Sequence, residues 1–191
     1  MLETMTHSLY DEAKPLLEPA SFTDPAEIAA SPSIVPAEPG IYGWWFDAAL
    51  PEVPREGCLV RDGRHLLYVG IAPNGTSEIS TRNLRKRLGD HCRGVIARST
   101  VRRTLACLLE RDLALSISRT ATGKVAMPNS DEQRLSDWMG AHMRVAWMVH
   151  PSPWTLEDEL IRSGPALPLN IMGSSHPFSA ALMTRRSILG R

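Results

Sequence analysis

Three apolar runs divide the chain, each with the residue types of a buried strand. The first, Gly40 to Phe46 (GIYGWWF), follows a Pro-Gly turn signal, and the second, His65 to Ile71, stops at Pro73-Asn74-Gly75. The third runs from Arg144 to His150 (RVAWMVH). Between and after them, apolar positions recur at helical spacing. Leu84 and Leu88 lie one turn apart between Arg82 and Arg93, a narrow stripe on a cationic helix that Ser80-Thr81 can cap and Gly94 can end. A second helix from Ser99 has Val101, Leu105, Leu108 and Leu109 as its core face, which leaves Arg102 and Arg103 outside. Ser130-Asp131-Glu132 opens a third, with Leu135, Trp138 and Met139 inward. Pro151, Pro153 and the candidate cap Thr155 lead into a fourth, to about Ile161. After a loop at 164–175, His176-Pro177-Phe178 opens a last helix anchored by Phe178, Leu182 and Leu189. Residues 48–64 read as a long loop, with brief sheet contact at Cys58-Leu59-Val60, and residues 113–128 allow a small hairpin.

The first 36 residues break this pattern. Prolines recur at 15, 19, 25, 32 and 36, and acids outnumber bases, so the segment reads as an acidic, proline-rich arm. Asp24 can cap a short helix there, with Pro25 at its first position. A chain of 191 residues suits one domain with an appendage, large enough to bury roughly 70% of its unfolded surface. Cys58, Cys92 and Cys107 are odd in number and form no CxxC, which points to a reducing, cytoplasmic setting without structural zinc. The acidic, proline-broken start is not a secretory leader, and no 18-residue apolar run spans a membrane.

Charge changes the picture most. The formal net charge is zero, yet residues 1–60 sum to −8 and residues 61–191 to +8. The densest block, with a net of +7, holds Arg82, Arg85, Lys86, Arg87, Arg93, Arg98, Arg102 and Arg103 against Asp90 alone. Such a block attracts polyanions and releases their counterions. It is also what a solvated helix face, or a basic patch neutralised by the acidic arm, looks like. The nucleic-acid contacts expected from it are Arg82, Arg85, Lys86, Arg93, Arg102 and Arg103.

Taken in order, Gly40-Ile41-Tyr42, Tyr68-Val69-Gly70, Leu84-Arg85-Lys86-Arg87 with His91, Glu157 before Leu160-Ile161, and Pro168-Leu169-Asn170 form one series. It resembles the GIY-YIG nuclease domain over residues 37–172. The resemblance implies an α+β fold, a small three-stranded antiparallel sheet flanked by helices. The domain then covers 37–173, with a polar loop after Ile71, an insertion at about 110–143 and a C-terminal helix at 174–191. It implies paired active-site tyrosines at Tyr42 and Tyr68, a phosphate-contacting arginine at Arg87, and a histidine assisting the base at His91. Glu157 would ligate a single divalent metal, and Asn170 would brace the site.

These residue types suit phosphodiester hydrolysis. One carboxylate can hold Mg²⁺ or Mn²⁺ while waters and phosphate complete the shell. Arginine offers a planar fork to the phosphate oxygens, and a tyrosine near such charge, or His91, can serve as base. Arg85 competes with Arg87 for the phosphate role; Arg87 is preferred because His91 lies four residues on. Asp158 and Glu159 compete with Glu157, which has the family spacing. His65, His142, His150 and His176 read as structural or surface residues, and of Trp44 and Trp45 one faces the core while the other can stack on a base or merely cover the sheet. The expectation is a metal-dependent endonuclease acting on DNA, with RNA not excluded. Its rivals are a catalytically silent nucleic-acid-binding module of the same fold and a protein-interaction domain whose basic helix docks an acidic segment.

Overall fold

The computed structural model describes residues 7–47, 50–73 and 82–190. In chain order the elements are α1 (His7–Leu17), α2 (Pro25–Ala30), β1 (Gly40–Phe46), β2 (Val60–Arg61), β3 (Arg64–Ala72), α3 (Leu84–Arg93) and α4 (Thr100–Leu109). They continue with β4 (Ser118–Arg119), β5 (Val125–Ala126), α5 (Asn129–His142), β6 (Met143–Val149), α6 (Pro153–Ser163) and α7 (Pro177–Ile188). The fold is α+β, and its main sheet is antiparallel with the order β2-β3-β1-β6.

The sheet thus has four strands rather than three. The extra strand is made by Asp62-Gly63, which turn with φ of 49° and 72° and pair Arg61 with Arg64. That is the left-handed pair a tight two-residue hairpin needs. The β4–β5 pair supplies the small hairpin expected within 113–128.

Strand β1 is buried at every position because helices cover both faces. Ile41 and Trp45 face one layer, with Leu16 of α1 and Leu156 and Leu160 of α6. Tyr42, Trp44 and Phe46 face the other, with Leu84 and Leu88 of α3, Leu105 of α4 and Leu135 of α5. Both tryptophans are fully buried, so neither is placed to stack on a base. Helix α3 lies close against β1: a Cβ on Gly40 would meet Leu84 Cδ1 at 2.5 Å and Met148 O at 2.3 Å.

Residues 7–35, which composition set apart as an arm, pack onto this body. Leu9, Ala13, Leu16 and Leu17 are buried, as are Ile28 and Val35. The apolar positions of α1 repeat at helical spacing, and although Pro15 has no N–H to give, the last turn still closes through Glu18 N–H to Lys14 O. Asp24 caps α2 as expected. Other boundaries differ slightly. Asn83 caps α3 and Ser152 precedes α6, so Thr155 lies inside its helix. Ser80 and Thr81 lie outside the described residues. Among those described, no helix is long and apolar enough to cross a membrane.

Candidate active site

A cleft of about 510 Å³ opens where β3 meets α3, α4, α6 and α7. Two irregularities aim side chains into it. Trp44 pairs with Tyr68 but Trp45 with Leu66, so Leu67 is an extra residue in β3. This bulge puts Leu67 and Tyr68 on the same side of the sheet. On the outer side of β3, Asn170 behaves like a neighbouring strand: Val69 N–H donates to its Oδ1, and its Nδ2 donates to Val69 O, both at 2.9 Å. Leu169 N–H adds a bond to Leu67 O at 3.1 Å. The loop after α6 is thereby fastened to β3, and Asn170 and Glu157 line the cleft beside Tyr68.

The two tyrosines take different positions. Their ring centroids are 6.3 Å apart, but Tyr42 is fully buried whereas Tyr68 reaches the cleft. The space for both exists because Gly70 has no side chain: a Cβ there would lie 2.6 Å from Tyr42 Oη and 2.9 Å from Tyr68 Cε1. Behind Tyr42, His91 Nε2 is 2.8 Å from its hydroxyl, and His91 Nδ1 is 2.6 Å from Ser99 Oγ. Arg87 Nε donates to Tyr42 Oη at 3.3 Å, which leaves its Nη amines toward the cleft. Ser99, expected only as a helix start, caps α4 through Arg102 N–H and also holds the histidine.

Electrostatics follows from burial. Desolvation raises the Tyr42 pKa, against the lowering pull of Arg87. Desolvation and then the neighbouring Tyr42 push Tyr68 well above the usual phenol value. His91 is driven well below its ordinary value by burial and then by Arg87, so its imidazole is neutral. It either accepts from Tyr42 and donates to Ser99 or passes hydrogen bonds the other way. Burial also opposes the charge of Arg87, but the two tyrosine oxygens outweigh it and its pKa rises. Burial lifts Glu157 to about 7, although Arg87 works to lower it.

The alternatives left by the sequence fall apart in space. Arg85 gives its Nε to Val35 O at 2.7 Å and so holds the N-terminal segment, while Arg87 lines the cleft. Asp158 pairs with Arg162 at 3.1 Å and Glu159 is exposed, leaving Glu157 as the acid in the cleft. Arg82, Arg85, Lys86, Arg93 and Arg98 gather around a separate depression on the outer side of α3. Arg102, expected on that surface, is fully buried and paired with Glu132 at 2.7 Å. Arg103 is turned into the cleft. Of the other histidines, His176 caps α7, His150 meets Glu12 and His142 meets Asp47.

Among the described residues, no three His, Cys, Asp or Glu side chains gather as a ready-made metal cage. Glu157 is instead a lone oxygen donor, half-buried and raised in pKa because burial outweighs the pull of Arg87. That donor chemistry fits a small hard cation bound through one carboxylate with waters and substrate oxygens. A family model described as the GIY-YIG catalytic domain matches residues 40–188. No curated protein and no solved structure matched the chain.

Proposed function

Because the chain belongs to the GIY-YIG catalytic-domain family and its function is therefore nuclease-type, we propose that it is a divalent-metal-dependent endonuclease hydrolysing DNA phosphodiesters. The observation that carries this reading is the convergence of Tyr68, Arg87 and Glu157 on one cleft, from three separate elements. In this reading Glu157 holds Mg²⁺ or Mn²⁺, which supplies Lewis-acid charge at the phosphate and the leaving oxygen. Arg87 binds the non-bridging oxygens through its Nη fork. Tyr68, the tyrosine that reaches the cleft, orients the attacking water by accepting a hydrogen bond on its neutral hydroxyl, and the water's proton leaves to solvent. Tyr42 and His91 lack exposed surface, so they act by position: they fix Arg87 and Tyr68 and keep the site's hydrogen bonds satisfied. Asn170 sets the distance between β3 and the loop after α6.

The deciding experiment is incubation of supercoiled plasmid and of branched and linear oligonucleotides with Mg²⁺, Mn²⁺ or chelator. Cleavage that needs the cation is expected. Binding without any cleavage would instead identify a silent module of the same fold.

Gly70→Ala tests the packing that this mechanism needs. The added methyl would displace Tyr42 from Arg87 and His91, so cleavage should fall at least about a hundredfold, since small misplacements of reacting groups cost that much. Gly89→Ala is the control, because its Cβ would make only an ordinary contact at 3.5 Å. Equal rates for the two variants would remove Tyr42 from the mechanism.

The outer face of α3 is assigned to the DNA backbone. Replacing Lys86 and Arg93 by Ala should flatten the log–log dependence of affinity on salt by about 0.9 for each phosphate no longer neutralised. Turnover on bound substrate should stay as in the parent. An unchanged slope would move the DNA path elsewhere.

A further inference from the structure

The cleft holds more positive charge than one phosphate requires. Beside Arg87 it takes in Arg103 from α4 and Arg186 from α7. Both guanidiniums border this one cleft, and after burial the charge of Arg103 is what most holds the Arg186 pKa below its ordinary value. Among the described residues neither has a carboxylate partner. Arg103 Nη2 donates to Ala97 O at 3.1 Å, while its Nε is buried with no partner.

Their sequence neighbours are treated otherwise. Arg102 is paired with Glu132, and Arg185 with Glu52. A fold that pairs Arg102 and Arg185 yet brings two partly buried cations together unpaired carries a folding cost there. An anion entering the cleft would remove that cost. Thr100, the first residue of α4, lies on the same wall and adds a hydroxyl. Ile161, Met172 and Met183 line the rest with apolar surface suited to a sugar or base.

We propose that Arg103 and Arg186 seat a second phosphate, the one adjoining the scissile phosphodiester on the same strand. The proposal rests on the nuclease reading for the identity of the first phosphate. The second seat lies outside the series of motifs from Gly40 to Asn170, because α7 brings Arg186 to it. It gives the cleft a preference for a continuous strand over an isolated phosphodiester.

The test replaces single phosphates of an oligonucleotide, one position at a time, by uncharged methylphosphonates. For the parent, neutralising one position next to the cut should slow cleavage about tenfold, the effect of one charged hydrogen bond. Arg186→Gln should be about tenfold slower on the ordinary strand and lose nothing further at that position. Arg186→Lys should recover part of the loss. A nitrophenyl ester of thymidine phosphate, which offers a single phosphodiester, should react equally with parent and variant. Losses spread evenly over all positions, or none, would overturn the proposal. The same scan read as binding in chelator separates the two claims. A position-specific dependence on Arg186 without cleavage keeps the seat and drops the enzyme, and affinity indifferent to Arg186→Gln drops the seat whether or not the chain cuts.

Discussion

Replacing Glu157 by Gln is expected to lower cleavage by several orders of magnitude while leaving the fold intact. The amide keeps the volume and reach of the carboxyl but loses the charge that a hard, strongly hydrated cation requires. Added Mg²⁺ or Mn²⁺ should no longer stimulate the variant, and DNA should still bind. Glu159→Gln, on the exposed side of α6, should cut like the parent. The reverse pattern would mean that the wrong acid holds the cation.

The pKa of about 7 adds a second readout. Below that value Glu157 is protonated in the free protein, so apparent metal affinity should fall by up to tenfold per pH unit. Stability moves the opposite way from a salt-bridged acid. Between the ordinary value of 4.5 and about 7, the folded form holds a proton that the unfolded form has lost. Stability therefore declines as pH rises through this window, and the burden is complete by pH 8. In chelator, Glu157→Gln should match the parent near pH 4.5 and exceed it at pH 8, by roughly 1–3 kcal/mol. Thermal melts at the two pH values measure this directly. A variant less stable than its parent at pH 8 would place the carboxylate in a structural bond instead.

Arg102→Ala should destabilise the protein by about 3–5 kcal/mol, the effect of leaving a buried charge without its partner. Against the 5–15 kcal/mol typical of a domain, that is enough to put a large fraction of the chain at risk of unfolding. Arg102 Nη2 bonds both the carboxylate and the main-chain oxygen of Glu132 at 2.7 Å. Its Nη1 reaches Ser136 Oγ at 3.0 Å and His91 O at 3.4 Å. The other oxygen of Glu132 accepts Ile96 N–H at 2.7 Å. One ion pair thus ties α3, α4 and α5 together behind His91. Denaturant melts of Arg102→Ala, Glu132→Ala and the double variant should show that the second change adds little to the first. An Arg102→Ala protein as stable as the parent, with weakened DNA binding, would return this residue to the surface.

Arg102 also shows where the sequence stops being legible. On α4 it sits beside Val101 in a stripe pattern that placed it outside, because helical periodicity weighs apolar residues alone. What brings it inside is Glu132, thirty residues on, and no local pattern announces such a pair. The same holds for Arg186, which one helix of modest amphipathicity gives no reason to send into a cleft. Tyr42, Tyr68, Arg87, Glu157 and Asn170 were readable only through the resemblance to a known family, the first four on strands or helices that composition marks and Asn170 in the loop after α6. The fourth strand had a local signal in Asp62-Gly63 and falls beside the brief sheet contact expected at Cys58-Leu59-Val60, but Val60-Arg61 is too short to stand out as a strand of its own. The N-terminal helix was masked by composition: acids and prolines describe the exposed side of α1, while Leu9, Ala13, Leu16 and Leu17 determine where it goes.

The margins of the sheet bear on how the protein can meet copies of itself. At the β6 side, Thr23 exchanges two main-chain bonds with Val145, at 2.9 and 3.0 Å. At the β3 side, β2 covers one end and the Leu169–Asn170 segment occupies the next residues. An edge covered in this way offers an approaching strand a broken row of donors and acceptors. Growth of the sheet from molecule to molecule, the route to swapped dimers and cross-β aggregates, is therefore obstructed at both ends. Truncation before residue 24 would uncover the β6 margin, and such shortened chains should precipitate on concentration where the full one stays dispersed.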